Sequence, residues 1–237
     1  MNIKTYTVSV TKLPPEMHGL WDGAVWQNVP SLELSDFRPE GSAHRPQTLC
    51  KLLYDQEKLY GIFRVDDQYV RCVNTGFQAD VYKDSCVELF LQPKASGGYF
   101  NFEFNCGGAL LASYITDPTR IGGRVKQYSP LTPADDRQIR RYHNLPDVVE
   151  PEITHKQIWF LEFSIPFAVL AKYAGPLREI CGQAWRGNFY KCGNETSHPH
   201  WSAWSGVFEL NFHLPECFGI IQFERSVHGE IPPRSCL

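Results

Sequence analysis

The sequence predicts an all-β fold, an antiparallel β-sandwich of jelly-roll or immunoglobulin-like type with one short helix. Three observations predict it. Short runs rich in β-branched and aromatic residues recur along the chain, bounded by Gly, Pro, Asn and Asp. Several runs alternate apolar and polar residues with the period of two that a sheet with one buried face requires. Helical periodicity is confined to residues 166–174.

In chain order, residues 48–54 read TLCKLLY and residues 59–65 read LYGIFRV, the latter ending on the turn pair Asp66-Asp67. Residues 86–91 (CVELFL) lead into the loop QPKASGG, and residues 99–106 (YFNFEFNC) lead through Gly107-Gly108 into ALLASYI. In QIWFLEFS, residues 157–164, Trp159, Leu161 and Phe163 share one face and Phe160 and Glu162 the other. The runs at 185–192 and 218–223 complete a set whose spacing is that of a sandwich or barrel. PFAVLAKYA is the helix, since Pro166 suits a first turn and Gly175-Pro176 stops it. Residues 116–146, rich in Arg, Asp, Pro and Tyr, read as an irregular surface excursion with no recognisable motif. One domain is expected over residues 1–237, with its core at about 21–223 and a polar tail over 224–237.

Composition narrows the function classes. A 237-residue chain that is 43% hydrophobic has ample material for a core. Its net charge of -3 offers no basic field for a phosphate backbone, which argues against nucleic acid as a partner. No apolar run is long enough to span a bilayer, so no membrane partner is expected. The start, MNIKTYTVSVTKL, has no apolar leader region; a leader removed beforehand would place the protein in the periplasm or outside the cell. The eight cysteines include no Cys-x-x-Cys pair and several lie in strand-like runs, so they are read as reduced and structural. Nothing in the sequence speaks to oligomeric state.

Two strands carry chemistry. In DSCVELF, alternation places Cys86, Glu88 and Phe90 on one face and Val87 and Leu89 on the other, and a carboxylate in so apolar a run needs partners. In YFNFEFN, Phe100, Phe102 and Phe104 face the core while Asn101, Glu103 and Asn105 make a polar face. Amides and carboxylates suit hydroxyl-rich ligands because between them they donate and accept. Tyr82 precedes the first of these strands, and Trp201 and Trp204 lie in HPHWSAWSG, read as a loop. A sugar ring has apolar C–H faces and a polar edge, and an aromatic platform beside fixed polar groups matches both.

The ordered succession LYDQEKLYGIFRVDD, VYKDSCVELFL, YFNFEFNCGG, WFLEFSIPF, WRGNFYKCGNETSHPHWSAWS and FHLPECFGIIQF, spanning about residues 21–223, resembles the family 9 carbohydrate-binding modules, most closely their standalone DOMON-like members. The resemblance implies a β-sandwich, often with bound calcium, that binds sugars of plant polysaccharides such as xylan and cellulose in support of their degradation. It further implies two aromatics sandwiching a chain-end sugar, with a carboxylate, amides and Arg holding its hydroxyls. Tyr82 takes the first aromatic position, six residues before Glu88, where characterised binders have Trp. Trp204, then Trp201, matches the second. Glu103 and Asn105 fall in the strand that supplies polar contacts, and Arg186 or Lys191 offers a charge-assisted one. Asp66 and Asp67 are the candidate calcium ligands, by donor type alone.

The expected function is therefore recognition of an oligosaccharide or polysaccharide with no bond made or broken. Three rivals remain at this stage. One is a glycoside hydrolase using Glu88 and Glu103. Another is a zinc site drawing on Cys192, His198 and His200. The third is a protein-interaction domain that has lost its sugar.

Overall fold

The structure is a computed structural model that describes residues 3–225. In chain order its strands are β1 (Thr5–Val10), β2 (Leu32–Glu33), β3 (Asp36–Phe37), β4 (Gln47–Tyr54), β5 (Lys58–Asp67), β6 (Val70–Cys72), β7 (Cys86–Gln92) and β8 (Tyr99–Asn105). There follow β9 (Leu110–Ile121), β10 (Arg124–Pro130), β11 (Arg140–His143), β12 (Val149–Ile153), β13 (Gln157–Pro166), β14 (Ala184–Cys192), β15 (Trp201–Ala203) and β16 (Gly219–Phe223). Two short helices, α1 (Pro133–Asp136) and α2 (Phe167–Ala174), interrupt them. The expected helix is α2, with Pro166 as its N-cap and Gly175, at φ 73°, ending it.

The strands form the two layers of a β-sandwich. One sheet runs β10-β9-β8-β7-β14-β16, with β15 added beside β14 and β3 beside β15; the other runs β4-β5-β13-β11, with β2 beside β4. Strand β1 serves both: Thr5–Val8 pair with β16 and Ser9–Val10 with β4. Both of these pairings are parallel, so the sandwich is mixed at this seam and antiparallel elsewhere in the two sheets. The core limit expected at residue 21 leaves out β1, whose inward residues Tyr6 and Val8 are buried. A run of so few inward apolar residues in a polar segment carries little sequence signal.

Between the layers lie the two buried faces. The first sheet contributes Phe100, Phe102 and Phe104 from β8, Leu89 from β7 and Phe189 from β14; the second contributes Phe63 from β5 and Trp159 and Phe163 from β13. Phe104 stacks on Phe163 across the layers at 5.3 Å between ring centroids. Gly61 admits this packing, since a Cβ there would collide with the Phe163 ring.

The excursion expected over residues 116–146 is mostly regular structure. Strands β9 and β10 form a long hairpin closed by Gly122 and Gly123, both at positive φ (59° and 81°), with Ile121 paired to Arg124. A two-residue Gly-Gly turn is a hairpin signal, because both positions need φ above zero and glycine takes it without a Cβ clash. Of the expected polar tail, residues 226–237 lie outside the described residues. So does Cys236, while Cys50, Cys72, Cys86, Cys106 and Cys192 are buried thiols outside any disulfide.

Candidate ligand-binding site

The outer face of the first sheet, turned away from the core, forms the floor of a groove of about 950 Å³. Alternation supplies the floor: Glu88 and Phe90 from β7, Asn101 and Glu103 from β8, Cys192 from β14. One wall is the β9–β10 hairpin, with Arg120 and Tyr128, and the other is the loop of residues 210–213. Arg120 spans the two by donating from Nε to Asn211 Oδ1 at 3.3 Å. The loop is anchored by Phe212, stacked on Tyr190 at 4.0 Å. His213 accepts or donates at Nδ1 with the Tyr99 hydroxyl at 2.8 Å.

Glu88 and Glu103 stand directly opposite each other in the β7–β8 ladder. Both are almost wholly buried, at 2% and 5% exposure. Burial pushes the Glu88 carboxyl well above the usual carboxylate range, helped by Cys192 and Glu103 and opposed by Arg120. Burial likewise raises Glu103 to about 7, against a hydrogen bond from Asn101 and the charge of Arg120. That bond runs from Asn101 Nδ2 to Glu103 Oε1 at 2.7 Å, and Asn101 Oδ1 in turn accepts from the Ser113 amide at 2.9 Å. Two adjacent carboxyls that resist ionising together give the floor a hydroxyl donor and a carboxylate acceptor side by side.

The aromatic end of the groove is organised by Asn194. Its backbone N–H donates to the Tyr82 carbonyl at 3.2 Å, and its side-chain Oδ1 accepts from Trp201 Nε1 at 2.7 Å. Tyr82 sits in a 3₁₀ turn, residues 81–83, and Trp201 opens β15; both line the groove and both are half-buried.

The structure thus brings together Tyr82, Glu88, Glu103 and Trp201. It places three expected ligand contacts elsewhere. Trp204 is a core residue, 5% exposed, with its ring edge-on to Phe189 at 5.7 Å and against the backbone of Gly219, where a Cβ would strike it. Residues 201–203 are strand rather than loop, and Trp204 extends the pairing by one residue, its amide donating to the Phe189 carbonyl at 2.9 Å; residues three apart then point to opposite faces, so Trp201 faces out and Trp204 in. Asn105 is buried and spent: Nδ2 donates to the Asn74 carbonyl at 2.7 Å and to Asp84 at 2.9 Å, while Oδ1 accepts from the Ala109 amide. Arg186 lies at the far end of β14, holding the carbonyls of Glu216 and Phe218. Lys191, its stated alternative, points into the interior at 0% exposure.

There Lys191 Nζ meets His200 Nε2 at 2.7 Å, the Cys192 carbonyl at 3.0 Å and Asp67 at 3.5 Å. Asp67 also accepts from Trp159 Nε1 at 3.1 Å and the Gln68 amide at 2.8 Å, and lies 2.7 Å from His44 Nε2. Burial opposes its ionisation, yet Lys191 and these hydrogen bonds hold its carboxyl well below the usual range. Asp66 points the other way and pairs with Arg64 at 3.1 Å. The Asp66-Asp67 pair does not fit a calcium ion, which needs several free oxygens converging on one point. Nor do Cys192, His198 and His200 converge: His198 stacks on Tyr69 at 3.6 Å, and His200 is buried against Lys191, which with burial depresses it to about 3.

Site residues missed in the sequence are Arg120, Asn211 and His213. The Gly122-Gly123 pair was the available signal for the hairpin that delivers Arg120; the loop carries no signal of its own.

The sequence profile of carbohydrate-binding family 9 matches residues 23–223. No curated protein matches the sequence. Among solved structures, a protein of Bacteroides uniformis named as a candidate carbohydrate-binding protein superposes with a TM-score of 0.81 at 24% identity, covering 94% of this chain and 100% of that one. A family 9 carbohydrate-binding module from Caldicellulosiruptor kristjanssonii, solved with glucose and with cellotriose, superposes with a TM-score of 0.62 at 15% identity, covering 97% and 100%. The structural likenesses show a shared fold, and the profile match over most of the chain shows the family: this chain belongs to carbohydrate-binding family 9.

Proposed function

We propose that the groove binds a glucose-type sugar of a plant β-glucan or a related polysaccharide, as a recognition module in support of glycan degradation. The observation that carries this reading is the opposed pair Glu88 and Glu103 at the foot of a groove flanked by Tyr82 and Trp201. Rings of this kind cover the C–H faces of a pyranose. The carboxyl pair and Asn101 donate to and accept from its hydroxyls, and Arg120 adds a charge-assisted donor. The groove volume lies within the roughly 300–1,000 Å³ of small-ligand sites. The glucose and cellotriose held by the relative are of the same chemical class.

A hydrolase needs its two carboxyls on either side of the scissile bond. Glu88 and Glu103 lie side by side on one sheet surface, an arrangement that supports holding a sugar rather than cleaving it. The test is calorimetric titration with glucose, cellobiose, cellotriose and soluble xylan, with and without added calcium, while the sugars are assayed for cleavage. Saturable heat with an uncleaved sugar supports the proposal. No heat with any of them overturns it, and cleavage lost in Glu88→Gln revives the hydrolase.

A further inference from the structure

Beneath the aromatic end of the groove, Glu88 also belongs to a second cluster, whose two sulfurs sugar recognition does not use. Cys86 on β7 and Cys192 on β14 are directly opposite each other in the ladder, and Glu88 lies two residues along on the same face. One ligand atom from each of the three falls within 4.8 Å of the others, and all three side chains are buried. Glu88 makes no ion pair among the described residues. It accepts a hydrogen bond from the Cys192 thiol, a weak donor, at 3.2 Å. A cation set between this carboxyl and the two sulfurs would compensate the buried charge that ionisation creates.

We propose that Cys86, Glu88 and Cys192 bind a zinc-class divalent ion at the floor of the groove. Two sulfurs and one carboxylate are a borderline-soft donor set, suited to zinc and its surrogate cobalt and unsuited to calcium, which takes six to eight oxygens. Zinc holds sulfur at about 2.3 Å and carboxylate oxygen at about 2.0–2.2 Å, so tetrahedral ligands stand somewhat under 4 Å apart. The three atoms reach that spacing by small side-chain adjustments. Binding converts both thiols to thiolates and the Glu88 carboxyl to carboxylate, releasing up to three protons to solvent. Three protein ligands leave the fourth position to water or to a groove-bound hydroxyl. The site shares Glu88 with the sugar reading, but it needs no saccharide and is measured without one.

The experiment uses the reduced protein, stripped with a chelator and titrated with cobalt(II), then zinc(II). One equivalent of cobalt is expected to give a thiolate charge-transfer band and a tetrahedral visible band, both erased by zinc. Cys86→Ser and Cys192→Ser are each expected to weaken binding at least tenfold, and Cys217→Ser, in the 3₁₀ turn of residues 215–217, to leave it unchanged. In the wild-type protein zinc is expected to shield Cys86 and Cys192 from alkylation, read by peptide mass spectrometry, which keeps the proposal testable if a serine variant does not fold. A folded wild type without the thiolate band, or a band that survives both serine substitutions, overturns it. Metal-free protein that binds sugar but not cobalt sinks this site alone; protein that binds cobalt but no sugar sinks the sugar reading alone.

Discussion

Glu88 and Glu103 face each other across the β7–β8 ladder, buried at the floor of the groove and both under the charge of Arg120. Like charges in direct cross-strand register destabilise a sheet. The pair persists because at least one member stays protonated near neutrality.

A pH dependence of stability follows. Glu103 has its folded value raised to about 7. A carboxyl raised on folding binds its proton more tightly folded than unfolded, so its contribution is fully present below the unfolded value and lost as pH rises through about 7. Relative to Glu103→Gln, the wild type is expected to lose on the order of 2 kcal/mol between about pH 5 and pH 8. Thermal melts of both proteins across that range check it, and parallel curves would refute it.

The two tryptophans are expected to fail in different assays. Trp201→Ala removes a ring from the aromatic end of the groove and is expected to weaken sugar affinity about tenfold, or ~1.4 kcal/mol, with little change in melting temperature. Trp204→Ala opens a cavity between Phe189 and Gly219 and is expected to cost about 3–5 kcal/mol of stability. Protein that remains folded should bind sugar normally. Calorimetry and denaturant melts on both variants separate the effects.

Asp67 and Lys191 form an ion pair sealed in the interior. Asp67→Asn leaves the ammonium without its counterion and is expected to destabilise by roughly 3–5 kcal/mol. Adding Lys191→Met removes the stranded charge and is expected to restore much of that loss. Additive effects in the double-mutant cycle would contradict the pairing.

Arg120 is exposed, so Arg120→Ala is expected to change stability by no more than about 0.5 kcal/mol. Its charge nonetheless lowers both floor carboxyls. Removing it is expected to move the pH midpoint of Glu103 upward and to weaken sugar binding several-fold. The midpoint is read from carboxyl titration by NMR.

Much of this was legible from alternation. The phenylalanines of YFNFEFN face the core, Glu88 and Glu103 share the opposite face, and α2 runs where Pro166 and Gly175 bracket it. The same alternation sets Lys191 on the face opposite Arg186, Asn188 and Tyr190, against the sugar contact expected of it. Residues 198–206 carry the composition of a loop, where side-chain direction has no period. Once β15 is recognised as a strand, Trp201 and Trp204 must part.

The sequence by itself determined the long core strands, their buried faces and the carboxylates of the groove floor, because a period of two is a property of the local backbone. Tertiary structure decided which candidates are free to bind. Asn105 is consumed by Asp84 and Asn74, Arg186 by two carbonyls and Asp67 by Lys191, while a distant hairpin delivers Arg120 and strand register sets Cys86 beside Cys192. Each of these depends on pairing between segments far apart in the chain, and cross-strand register and hydrogen-bond competition leave no local trace.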